Sequence, residues 1–104
     1  MQKPIPQLGW FVHYTLGRVA TREITDGRGY TGARGNDIAL DQVCAAIVVA
    51  HMPPVIPGGE ILLNLKVQLD GEDIYWAQNV AEATGDEDVR DRWQWPAPLV
   101  QPVD

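Results

Sequence analysis

Apolar side chains recur at every second position through Trp10, Val12, Tyr14 and Leu16, with Phe11, His13 and Thr15 between them. Alternation of this kind, in aromatic and β-branched residues, predicts a strand over 10–16. The same period returns at Ile61, Leu63, Leu65, Val67 and Leu69, and again at Ile74, Trp76, Gln78 and Val80. Between those two runs lies Asp70-Gly71, a pair suited to the positive φ of a primed turn, so 61–69 and 73–80 are expected to form a hairpin. Val43 to His51 is apolar on both faces. The β-branched Ile47, Val48 and Val49 and the stop at Pro53-Pro54 favour a strand over a buried helix there, covered on one side by the core and on the other by a neighbouring layer or subunit.

Between the first strand and Val43 the pattern breaks. Arg18 to Asp26 mixes Val19, Ile24 and Thr25 with charges and fits either a second strand or a short helical turn. Glycines at 27, 29, 32 and 35 then predict a loop, because glycine loses the most entropy on ordering. Further on, Pro57-Gly58-Gly59 makes a turn and 82–91 an acidic surface stretch. Trp93 and Trp95, two apart, should face the same side of an extended segment. The 104 residues read as one domain over 1–96 with a Pro-rich tail over 97–104. The expected class is all-β: four or five strands in a small antiparallel barrel or strongly curved, SH3-like sheet, with a long Gly-rich loop after the first strand.

Charge changes the picture. The net charge of −6 argues against a binder of duplex nucleic acid or of an anionic membrane. Residues 1–36, however, hold five basic and two acidic side chains, a local balance of +3, whereas 37–104 carry three bases and twelve acids. No apolar run is long enough to span a bilayer and no signal-like segment opens the chain, which suggests a cytoplasmic protein. Cys44 is the one cysteine, set among apolar residues, and reads as a buried thiol.

Catalytic and metal chemistry find little to work with. The histidines, His13 and His51, lack any zinc-ligand spacing, and the chain contains no serine. A thiol site from Cys44 with His13 or His51 and Asp41 is conceivable, although apolar surroundings should raise the thiol pKa. The carboxylates at 70, 72 and 73, and at 87, 88 and 91, read as solvated surface. No cofactor, no metal site and no enzyme activity is therefore expected.

Cys44-Ala45-Ala46-Ile47-Val48, the strand ending at Leu69, Asp70-Gly71, Trp76 and Trp93-Gln94-Trp95-Pro96 together resemble a group of small uncharacterised proteins of actinobacterial phages and their hosts. Those proteins carry a Cys-x-Ala-Ile-Val strand and close on Trp-His-Trp-Pro, and this chain departs from them at Gln94. The resemblance implies a phage or prophage accessory protein in a bacterial cytoplasm, and no activity.

Two functions are expected from different classes. In the first, Arg28, Arg34 and Asn36 with glycine N–H groups hold a small anion, and Tyr30 or Trp10 stacks on a base. A nucleotide second messenger, sequestered by a non-catalytic anti-defence sponge, is the ligand class that suits these parts. In the second, a homo-oligomeric structural or interaction protein associates through Val43, Ile47 and Val49 or through the tryptophans Trp76, Trp93 and Trp95, as a virion component or an inhibitor of a host protein.

Overall fold

The computed structural model describes residues 4–85 and 89–96. The Pro-rich tail over 97–104 and the middle of the acidic stretch lie outside the described residues. Five strands and one helix follow in the order β1 (Phe11–Thr15), α1 (Arg18–Thr31), β2 (Val43–Met52), β3 (Leu62–Gln68), β4 (Ile74–Val80) and β5 (Trp93–Gln94). The pairings between these strands are all antiparallel, in one sheet of order β4-β3-β2-β1-β5. The expectation of a mostly β, antiparallel molecule is met by an open sheet rather than a closed barrel: β4 and β5 end the order without pairing to each other.

Alternation sorts the side chains onto two faces. On the inner face Val12, Tyr14, Cys44, Ala46, Val48, Leu63, Leu65 and Val67 are buried, and Ala20 and Ile24 of α1 join them. These two helical residues stand four apart, the spacing that sets side chains one above the other on a helix. The hairpin over β3 and β4 forms as expected. Its turn does not: the glycines with positive φ are Gly9, Gly32 and Gly58. Gly71 instead bridges Gly35, for a reason that belongs to the site below.

The main correction concerns 18–35. The segment left open as strand or turn is helical, and the helix runs through Gly27 and Gly29 of the expected loop as far as Thr31. Each glycine costs such a helix about 1 kcal/mol relative to alanine. Contacts at both ends offset that cost. At the start, Gly17 has no capping side chain of its own, and the Asp91 carboxylate accepts its N–H at 3.1 Å. A Cβ at Gly17 would run into that same carboxylate, so any larger residue there would have to push Asp91 off the helix start. At the end, Gly32 turns left-handed at φ 75° and its N–H reaches the Arg28 carbonyl at 2.8 Å, a common helix stop.

The second correction concerns β2. Its inner residues are covered, but among the described residues no second layer lies over its other face, where one was expected: Val43 and Val49 are exposed and Ile47 is half-buried. Val49 sits at a register shift between Val48 and Ala50.

Candidate functional site

Arg28, in the last turn of α1, is tied down rather than open to a ligand. Its Nε donates to Asp73 Oδ2 at 2.9 Å, Nη2 to Asp73 Oδ1 at 3.1 Å, and Nη1 to the Asn36 carbonyl at 2.7 Å. The guanidinium holds the Asp73 carboxyl below its ordinary value, and Asp73 raises Arg28 in turn. Beside it two backbones meet: Asn36 N–H donates to the Asp70 carbonyl at 2.8 Å and Glu72 N–H to the Arg34 carbonyl at 2.7 Å. A Cβ on Gly35 would sit 2.7 Å from the Asp70 carbonyl, and one on Gly71 2.7 Å from the Arg34 carbonyl. Only glycine permits that approach, which accounts for Gly35 and Gly71. Together these contacts form a clasp that fastens the end of α1 to the β3–β4 turn.

Arg34 also pairs within the chain. Its Nε and Nη2 donate to the two Glu72 carboxylate oxygens at 3.2 and 3.3 Å, and its backbone N–H donates to Oε1 at 2.7 Å. The pair lowers the Glu72 carboxyl, through the Arg34 side chain first and its N–H second. The Arg34 side chain remains 87 % exposed. Beside it opens a groove of about 430 Å³ lined by Arg34, Gly35, Asn36, Asp70, Gly71 and Glu72, so two carboxylates share it with one guanidinium. Asn36 Nδ2 donates to Asp70 Oδ2 at 2.7 Å.

Of the residues expected to hold an anion, the fold therefore gathers Arg28, Arg34 and Asn36. Tyr30 projects from α1 almost wholly into solvent. Trp10 belongs elsewhere, its ring edge-on to Trp95 at 6.4 Å. The conceivable thiol site does not assemble. Cys44 is on the inner face, where burial pushes its thiol up, while His13 faces the other way opposite Ala45. His51 Nε2 lies 2.7 Å from the Pro6 carbonyl, and Asp41 accepts from Arg90 at 2.6 and 3.0 Å. Among the described residues no three His, Cys, Asp or Glu side chains could hold a metal ion. No helix is long and apolar enough there to cross a membrane.

A different surface has the character of a working site. Registers across four strands align Phe11 with Ile47, Ile47 with Lys66, and Lys66 with Trp76 on the outer face of the sheet. Phe11 is 54 % exposed, Trp76 53 %, and their outer-face neighbours Val43 and Ile74 54 % and 56 %. Lys66 places its Nζ 5.6 Å above its own Trp76 ring. His13 and Gln94 pair on the same face, and Thr15 with Val43. None of the fourteen carboxylates of the chain lies within the five strands, on either face.

The expected interface residues divide accordingly. Val43 and Ile47 line the outer face and Val49 lies at its bulge. Trp93 is 3 % exposed and belongs to the core, with Trp95 edge-on to it at 5.5 Å and partly exposed beside Trp10. Phe11 and Ile74 escaped the sequence reading: Phe11 stands opposite the core set of its strand, whereas Ile74 shared the apolar period of Trp76 and Val80, and a register shift in the β3–β4 pairing leaves Val80 buried but Ile74 and Trp76 exposed.

Comparisons of the chain with protein-family models, with curated proteins and with solved structures find no match. The two motifs that carry the phage resemblance flank β1, with Cys44 and Trp93 both paired to Tyr14 in one buried row.

Proposed function

We propose that this chain is a non-catalytic interaction protein whose working surface is the outer face of its sheet. The single observation that carries this reading is the row Phe11–Ile47–Lys66–Trp76, exposed except for the half-buried Ile47, with Val43 and Ile74 exposed on the same face. Isolated exposed apolar residues are normal, but a contiguous apolar patch on a sheet marks a place where something docks. In the phage setting that the sequence resemblance implies, such a surface suits a virion component or an inhibitor of a host protein.

The anion reading keeps less support. Arg28 spends its donors on Asp73 and Asn36, and Arg34 faces Glu72 in a groove that a second acid lines. An anion would have to displace Glu72 from Arg34, at an exposed pair where that costs little. A thermal-shift screen with mono-, di- and cyclic nucleotides separates the two readings. The interaction reading expects no stabilisation by any of them.

The interaction reading itself is tested with an apolar fluorescent dye such as anilinonaphthalene sulfonate on the native full chain. Enhancement in the wild type that is lost in the Ile47→Lys/Trp76→Lys double variant, with the circular dichroism spectrum unchanged, is the expected result. Equal enhancement in both proteins, or none in either, contradicts it.

A further inference from the structure

Between α1 and the start of β4 opens a groove of about 180 Å³. Three of its lining residues, Glu23, Gly27 and Thr31, come from α1 at steps of four, so they form one stripe along the helix. Gly27 is the gap in that stripe. A Cβ there would meet nothing within 4 Å, so the helix leaves room above a position whose intrinsic preference opposes helix. The buried Ile24 and Leu69 supply apolar lining beside it.

The charge of the groove is negative and one-sided. No Lys, Arg or His lines it. Of its two carboxylates, Asp73 gives both oxygens to Arg28. Glu23 accepts from the Tyr75 hydroxyl at 2.7 Å, and none of the ion pairs among the described residues, Arg28–Asp73, Arg34–Glu72 and Arg90–Asp41, includes it. An anion is therefore repelled here. A divalent cation finds too few ligands, since among the described residues no three His, Cys, Asp or Glu side chains could hold a metal ion.

What fits is a cation on an apolar stem, which lays its methylenes along apolar surface and keeps its charge at the rim. We infer that the α1–β4 groove holds an alkylammonium group, its stem over Gly27 against Ile24 and Leu69 and its nitrogen donating to Glu23. Two sources present that chemistry, a free aliphatic amine and the lysine side chain of a partner segment. Ile74 and Tyr75 both line the groove, and consecutive strand residues face opposite sides, so the groove reaches the edge of β4. β4 ends the sheet, and its backbone hydrogen bonds among the described residues run to β3. An extended segment that pairs with this edge can insert a lysine into the groove beside it. Phe11, Ile47, Lys66 and Trp76 take no part in the lining, so this inference and the outer-face proposal stand or fall separately.

Amide NMR titration of the full chain tests it with three probes: pentylamine, a peptide Thr-Val-Thr-Lys-Thr-Val-Thr of the same seven residues' length as β4, and that peptide with norleucine in place of its lysine. Pentylamine and the lysine peptide are expected to shift the amides of Gly27, Thr31 and Tyr75 saturably, with a dissociation constant of about 1–10 mM for the amine. The norleucine peptide should bind about three- to fivefold more weakly than the lysine peptide, and Glu23→Gln should weaken the lysine peptide by a similar factor. Gly27→Leu fills the groove and should abolish both signals, whereas Tyr30→Ala should leave them unchanged. Glu23→Gln keeps an acceptor for Tyr75 and Gly27→Leu has open space for its side chain, so both variants should fold, which circular dichroism melts check. A lysine peptide at least about tenfold tighter than pentylamine assigns the site to a partner segment, and one no tighter assigns it to a free amine. Equal binding of the norleucine peptide, binding unchanged in both Glu23→Gln and Gly27→Leu, or no saturable shift from either amine-bearing probe at ~50 mM overturns the inference.

Discussion

Arg28 shows what a single side chain does in this fold. With 13 % of its side chain exposed, it connects Asp73 and the Asn36 carbonyl, and so joins the helix end to a hairpin turn 45 positions away. Charge-assisted hydrogen bonds of this kind are each worth about 1.5–3 kcal/mol, and removing one partner leaves the other unsatisfied. Arg28→Ala is expected to cost about 2 kcal/mol in urea unfolding. The pH dependence follows from Asp73, whose carboxyl is held below its ordinary 3.8 by the Arg28 hydrogen bond. A carboxyl lowered in the folded state contributes its stability in full above about pH 4 and loses it as pH falls through the depressed folded value. Asp73→Asn should therefore be less stable at pH 7 and should lose less than the wild type between pH 5 and pH 2 by urea melts. Equal acid sensitivity in the two proteins would show that the pair contributes nothing. At Gly35 the cost is steric: Gly35→Ala should destabilise by about 2 kcal/mol, since its Cβ meets backbone that cannot move aside.

At the scale of elements, α1 is the informative case. Gly27 and Gly29 read as loop residues, and their intrinsic preference does oppose helix. The contacts that override it, Asp91 at one end and Asp73 at the other, come from positions 74 and 45 residues from their partners and leave no local trace. Strands were legible in β1, β3 and β4, but in β4 a register shift against β3 splits the apolar period, so that Val80 is buried while Ile74 and Trp76 are exposed. In the hairpin turn, Asp70-Gly71 announced a reversal of direction, but the close approach of Gly35 decided its geometry. Because nothing lies within 4 Å of a Cβ built at Gly27 or Gly29, alanine at either should stabilise the chain by about 0.5–1 kcal/mol, read as a raised melting temperature. Destabilisation by both would mean that the segment is not helical in solution. The site was half legible on the same grounds. The arginines and glycines stood out by type, but their acidic partners lay far along the sequence, and the ligand reading followed from seeing only one half of each pair. The apolar double face of 43–51 predicted a second covering layer, and among the described residues none lies over the outer side of β2.

For the whole molecule the consequence is an asymmetry. One face of the sheet holds the core, the other exposes Phe11, Val43, Ile74 and Trp76, and the strands themselves carry no acid. Substitutions at the exposed outer-face positions Phe11, Val43, Ile74 and Trp76 should barely change stability, within about 0.5 kcal/mol, because about half of each side chain is already in water. Their effect should appear in association instead. The most direct measurement is photo-crosslinking with a benzophenone amino acid placed at position 76 and, in a separate protein, at position 30. The account predicts adducts from position 76 in an extract of cells producing the chain, and none above background from position 30. Adducts from position 30 with none from position 76 would contradict it.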